Sequence, residues 1–338
     1  MTGNDYFMLY SSCVPVEGAR RSIICDLQRE QFYFIPNALF EILTQVGEAT
    51  VSRIKSAYDN QYDEIIDEYL DFLIKNELGC WCDEPALFPG VDLHWESPGE
   101  IANALIDIDQ FSNHDFSRVF GQLSELGCKA LQLRFFTGIS GNRLQEILDL
   151  LEYSRLRSVE LLLAYSPEWE KDALNRLLLH HQRISQIHVH SAPFTRKYLA
   201  EKFKKVIYYS KEKVESAAQC GQIAPGYFAT NIEAFTEAQK HNTCLNKKIA
   251  IDAEGNIKNC PAMQTAFGNI KDTPLEAVVR DPEFRSLWTV NKDMIEICRD
   301  CEFRYICTDC RAFRCDETDR FSKPLKCSYN PYEAEWEK

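Results

Sequence analysis

Five cysteines fall within Cys298–Cys315, spaced C-x2-C-x5-C-x2-C-x4-C. The short turn inside a C-x2-C pair brings its two sulfurs together. A run of this kind therefore folds around what the sulfurs hold, either zinc or an iron–sulfur cluster. Cys244, Cys260 and Cys327 bracket the run, so eight of the fourteen cysteines lie between Cys244 and Cys327. The other six (Cys13, Cys25, Cys80, Cys82, Cys128 and Cys220) are scattered, as small core residues are. The start, Met1-Thr-Gly-Asn-Asp-Tyr, has neither the basic nor the apolar part of a signal peptide, and no apolar window of about 20 residues occurs. The expectation is a cytoplasmic chain with no membrane partner, and in that reducing compartment disulfides do not account for the cysteines. A net charge of −13 speaks against nucleic acid and anionic lipid, whose binding needs Lys and Arg.

Residues 1–90 read as a small unit of strands followed by helices. Ser22-Ile-Ile-Cys-Asp-Leu and Gln31-Phe-Tyr-Phe-Ile flank the polar turn Gln28-Arg-Glu30, a hairpin pattern. Helices are expected after Pro36 and after Thr50, a capping residue. From Tyr62, the positions Tyr62, Ile65, Ile66, Tyr69, Leu70 and Leu73 form a helical stripe, opposite an acidic face of Asp63, Glu64, Asp67, Glu68 and Asp71, with Gly79 as its stop. This winged-helix-like order resembles the PqqD-like precursor-recognition domains. The resemblance implies that a leader peptide adds a strand at Gln31–Ile35 and lies along the helix Tyr62–Lys75.

Residues 91–238 alternate strand and helix patterns. Strands are expected at Ile101–Ile108, Lys129–Phe136, Ser158–Tyr165, Ile184–His190 and Lys204–Ser210. Helices are expected at Phe116–Leu126, around Leu144–Leu151 and at Glu170–His180. About five β/α units make a mostly parallel sheet, a partial (β/α) barrel. Neither a phosphate-binding P-loop nor a dinucleotide fingerprint is present. His188 and His190 share one strand face, where a structural role is the ordinary one.

Residues 239–338 hold the cysteines. Ile249-Ala-Ile-Asp-Ala-Glu-Gly-Asn-Ile-Lys-Asn-Cys reads as a hairpin turning at Glu254-Gly255, which brings Cys260 back toward Cys244. The spacing Cys244-x10-Gly255-x4-Cys260, then Cys298, Cys301, Cys307, Cys310 and Cys327, resembles the SPASM domain over roughly residues 240–330, with Cys315 extra. That resemblance implies two [4Fe–4S] clusters, one on Cys298, Cys301, Cys307 and Cys327, the other on Cys244, Cys260 and Cys310. The fourth ligand of the second stays open between Cys315, Cys220 and an open coordination site. Zinc is the alternative metal. Arg299, Arg304 and Arg311 either offset cluster charge or face solvent.

A C-x3-C-x2-C motif for the S-adenosylmethionine cluster does not occur upstream, so the middle segment resembles a degenerate radical-SAM barrel and S-adenosylmethionine is not expected. Pro261 follows Cys260, where sulfatase-maturing relatives place an Asp, and no catalytic residue is assigned. With the Asn4–Ile35 run, the whole is similar to the SPASM-domain maturases of grasp-with-spasm peptide systems. The resemblance implies maturation of a ribosomally synthesised precursor peptide (RiPP biosynthesis) together with an ATP-grasp ligase. Two alternatives stand beside it: a redox enzyme acting on the peptide at an auxiliary cluster, and a zinc-stapled interaction protein.

Overall fold

A computed structural model describes residues 6–200 and 202–337. Met1–Asp5, which include the start read for a signal peptide and the first two residues of the Asn4–Ile35 run, lie outside the described residues. The chain divides into two units: residues 1–96, 222–243 and 290–338, and residues 97–221 and 244–289.

The first unit opens with strands β1 (Tyr6–Leu9), β2 (Cys13–Val16), β3 (Ser22–Asp26) and β4 (Gln31–Ile35), continues through helices α1 (Asn37–Leu43), α2 (Val51–Ala57) and α3 (Asp63–Lys75), and returns on β5 (Gly79–Cys82). β2, β3 and β4 form an antiparallel sheet in that order, and β1 pairs with β5. The hairpin turn is made by Asp26, whose carboxylate accepts from the backbone of Gln28 and Arg29 and from the Arg29 guanidinium. Thr50 caps α2 by accepting from Arg53 N. On α3, Ile66, Leu70 and Leu73 are buried, but Tyr62 and Ile65 are exposed, so the stripe is narrower than its periodicity suggests. Tyr62 stands at the cap, outside the helix, and Ile65 lies off the buried face. Gly79 does not stop α3, which ends at Lys75 with Asn76 as its cap. It opens β5, where a side-chain carbon would run into the Met8 carbonyl and the Phe7 ring.

Glu302 ties this sheet to the cysteine run within the same unit. It is fully buried, accepts from Arg21 Nε at 2.9 Å, and accepts from the Tyr329 hydroxyl. Gly18 allows the approach, since a Cβ there would press on Glu302. The neighbouring main chain joins too: Ala19 N donates to Asp300 O at 2.8 Å, and Arg304 donates to Glu17 O.

The second unit contains β6 (Asn103–Ile108), α4 (Phe116–Glu125), β7 (Ala130–Phe135), α5 (Gly141–Asp149), β8 (Ser158–Ala164), α6 (Lys171–His180), β9 (Ile184–His190), β10 (Arg196–Ala200), β11 (Lys205–Tyr209), β12 (Lys248–Ile251) and β13 (Ile257–Lys258). They form one eight-stranded sheet in the order β10-β11-β9-β8-β7-β6-β12-β13. The six inner strands are parallel, and the edge strands β10 and β13 are antiparallel to their neighbours. Ile106, Leu133, Leu161, Ile187 and Ile249 pack with Phe120, Leu148 and Leu178 in one apolar core. Strand period two puts Asp107, Arg134, Glu160, His188 and Lys248 on the opposite face. His188 Nε2 lies 2.9 Å from Ser210 Oγ, and His190 Nε2 lies 3.0 Å from the Phe135 carbonyl, so both rings serve the structure.

Two stability effects are expected in denaturant unfolding of the anaerobically purified chain. Leu133→Ala, at a fully buried site, costs about 2–5 kcal/mol. Glu302→Gln removes charged hydrogen bonds and costs about 2 kcal/mol, with Tyr329→Phe nearer 1 kcal/mol.

Candidate metal centres

In the first unit, Cys298, Cys301, Cys307 and Cys327 line one cavity. Cys298 begins a tight turn, closed by Cys301 N donating to Cys298 O at 3.0 Å. Cys307 is placed by its amide, which donates to Phe303 O at 2.9 Å. Ile297, just before Cys298, sits at φ 66°, where a β-branched residue is strained by about 1–3 kcal/mol. The cysteine turn over-determines that backbone.

The cation at these sulfurs is Lys292, which is 5% exposed. Its Nζ lies 3.6 Å from Cys307 Sγ, 3.0 Å from Thr308 O and 4.0 Å from Asp309. Burial works against its charge, but the sulfurs of Cys307 and Cys298 and the Asp309 carboxylate outweigh that, and its pKa is raised. Burial pushes the Cys307 thiol up to about 11 when no metal is present. Sequence reading missed Lys292, since only its fold position brings it back to residues fifteen positions away. Of the three arginines, Arg304 lines the same cavity, and all three meet carboxylates. Arg311 is buried against Asp309 at 2.7 Å and donates to Ser322 O, Arg304 meets Asp293 at 3.2 Å, and Arg299 is exposed beside Asp300. Cys310 is buried and Cys315 is exposed.

Cys244 and Cys260 belong to the second unit, whereas Cys310 belongs to the first. Cys260 follows β13, and burial together with Cys244 pushes its thiol up to about 12. Lys248, the first residue of β12, holds its Nζ 3.8 Å from Cys244 Sγ. Burial opposes its charge, but Cys244, Cys260 and Cys220 outweigh it and raise its pKa. Cys220 lies against Arg134, whose Nη1 is 2.6 Å from its sulfur.

Among the described residues, no group of three or more His, Cys, Asp or Glu side chains converges on a point that could hold one metal ion. A zinc bound by four thiolates needs sulfurs roughly 3.8 Å apart, since each Zn–S bond is about 2.3 Å. Four cysteines lining one cavity, with a buried ammonium beside them, are a donor set whose charge suits a negatively charged iron–sulfur cluster.

One comparison with known proteins bears on the cysteine region. The SPASM model, described as an iron–sulfur cluster-binding domain, matches residues 243–302, which include Cys244, Cys260, Cys298 and Cys301. No curated protein matches the chain. Among solved structures, Streptococcus suis SuiB bound to S-adenosylmethionine aligns at 11% identity over 92% of this chain and 95% of that one, with a TM-score of 0.29. SuiB bound to the precursor peptide SuiA aligns at 10% identity over 90% and 96%, again with a TM-score of 0.29. The chain carries, over residues 243–302, a SPASM iron–sulfur cluster-binding domain.

Proposed function

We propose that this chain acts in the maturation of a ribosomally synthesised peptide. It binds the leader of a precursor, holds iron–sulfur clusters on its C-terminal cysteines, and works in the cytoplasm with an ATP-grasp ligase. The residues assigned to the clusters are Cys298, Cys301, Cys307 and Cys327 for one centre, and Cys244 and Cys260 for the other. When bound, such clusters supply one-electron transfer and fix the loops that ligate them.

One observation carries the reading: the strand available for a peptide is packed on the cysteine loop. β4 pairs only with β3 among the described residues, so its outer edge offers main-chain donors and acceptors to an added strand. Phe32 and Phe34 on β4 meet Phe303 at ring-centroid distances of 5.6 and 5.9 Å. Phe303 stands between Cys301 and Cys307. A leader on β4 therefore lies beside the loop that holds the sulfurs. Phe34 is half-exposed under the Arg21 guanidinium, 3.7 Å from the ring centre, which gives this edge an apolar contact as well. On α3, Glu64, Asp67, Glu68 and Asp71 face solvent and favour a leader with Lys or Arg.

Titrating a precursor peptide into the anaerobic protein is expected to show micromolar binding that requires the leader. Changing the four exposed α3 carboxylates to amides should weaken it and flatten its salt dependence. No leader-dependent binding at micromolar concentration sinks the recognition role. Anaerobic metal analysis is expected to return about eight irons and as many acid-labile sulfides per chain, whereas one or two zincs favour the stapled interaction protein.

A further inference from the structure

The second unit ends on a strand edge whose charge runs against that of the chain. The sequence carries a net charge of −13, yet residues 196–205 hold five cations (Arg196, Lys197, Lys202, Lys204 and Lys205) and one carboxylate, Glu201, which lies outside the described residues. β10 is the outermost strand of its sheet. Among the described residues it pairs only with β11, so its other edge keeps main-chain donors and acceptors for a further strand. Between β10, β11 and α6 lies a cavity of about 570 Å³. Lys171, Asn175 and Leu179 follow one another at helical spacing along one wall, and Tyr198, Leu199 and Phe203 form the other. Arg176 and Lys202 also line it, so the described lining has three cations and no carboxylate. Lys171 Nζ stands 5.1 Å from the centre of the Tyr198 ring and Lys202 Nζ 5.6 Å from that of Phe203. Neither these two nor Arg176 forms an ion pair with another described residue. Leu199 is 54% exposed beside them. Charged side chains on an edge strand also keep two copies of it from pairing. That role needs no cavity, and an edge that repels its own copy attracts an acidic strand.

We propose that β10 and this groove bind an extended acidic segment of a partner protein. The segment adds to β10 as a strand, sets carboxylates against Lys171, Arg176 and Lys202, and lays an apolar side chain on Leu199 and Phe203. The site lies within one unit and uses none of the cysteines, so it stands apart from both the clusters and the leader edge at β4. Two strand edges of opposite charge preference take a basic and an acidic peptide without exchanging them.

Binding to the anaerobically purified full chain is measured by fluorescence anisotropy with a labelled eight-residue peptide alternating glutamate and valine. Its lysine–valine counterpart is the control. The acidic peptide is expected to bind and the basic one not. The triple variant Lys171→Gln, Arg176→Gln, Lys202→Gln, all at exposed sites, should weaken binding roughly tenfold while leader binding at β4 stays unchanged. Methylating the backbone nitrogens along one edge of the peptide should abolish binding, and along the other edge leave it. No binding of the acidic peptide at millimolar concentration overturns the proposal, as does equal binding of the two methylated forms. Displacement by polyphosphate or a single-stranded oligonucleotide as effectively as by unlabelled peptide overturns it in favour of a general anion patch. A wild type that sediments as a dimer and a triple variant that sediments as a monomer overturn it in favour of a second copy.

Discussion

A buried ammonium needs negative charge beside it, and that requirement organises the C-terminal part of this chain. Lys292 is nearly inaccessible and rests on Cys307, the Thr308 carbonyl and Asp309. Asp309 is itself shared with Arg311 and Asn242. A polar network of this density is stable only when its members are satisfied together. Thiols held neutral by burial satisfy it poorly, and thiolates that carry a cluster satisfy it well. The same logic recurs with Lys248 and Cys244 in the other unit. In both units a lysine thus stands beside a cysteine proposed as a cluster ligand.

Much of the fold was legible in local pattern. The hairpin of β3 and β4, the α2 cap at Thr50, and the succession of parallel strands from β6 to β9 follow from periodicity and turn residues. β10 was not legible, because Arg196–Ala200 mixes charged and apolar residues and gains strand character from pairing with β11. Gly79 misled for a related reason: as a helix stop and as a close-packed strand residue it looks the same in one dimension. Spacing alone reveals the cysteine groups but not their counter-ions. Of the arginines next to the ligands in sequence, Arg304 lines the cysteine cavity and pairs with Asp293, while Arg311 pairs with Asp309. The lysines that do touch sulfur arrive from separate elements or a strand start. A lysine a few residues away that folds back onto a sulfur leaves no periodic trace.

The first unit joins two tasks in one core. Ile23 and Cys25 of β3 pack with Phe303, Ile306, Cys307 and Tyr329, so the sheet that offers an edge and the loop that presents sulfurs share the same buried surface. Displacing β3 or β4 moves aromatic rings that also cover the cysteine cavity. Interiors are packed too densely for one side of such a contact to shift alone.

The hairpin β12–β13 has a further consequence. β12 is hydrogen-bonded in parallel register to β6, with Lys248 opposite Asn103, and so completes the sheet of the second unit. The matched segment 243–302 begins and ends in the first unit and has its long middle in the second. A family module defined by cysteine spacing is therefore not an autonomous folding piece in this chain. Excised on its own, it would lose the neighbour strand that orders its hairpin, and a parent sheet deprived of it would expose the flank of β6. Modular exchange between relatives would have to respect these strand pairings rather than the edges of the sequence motif.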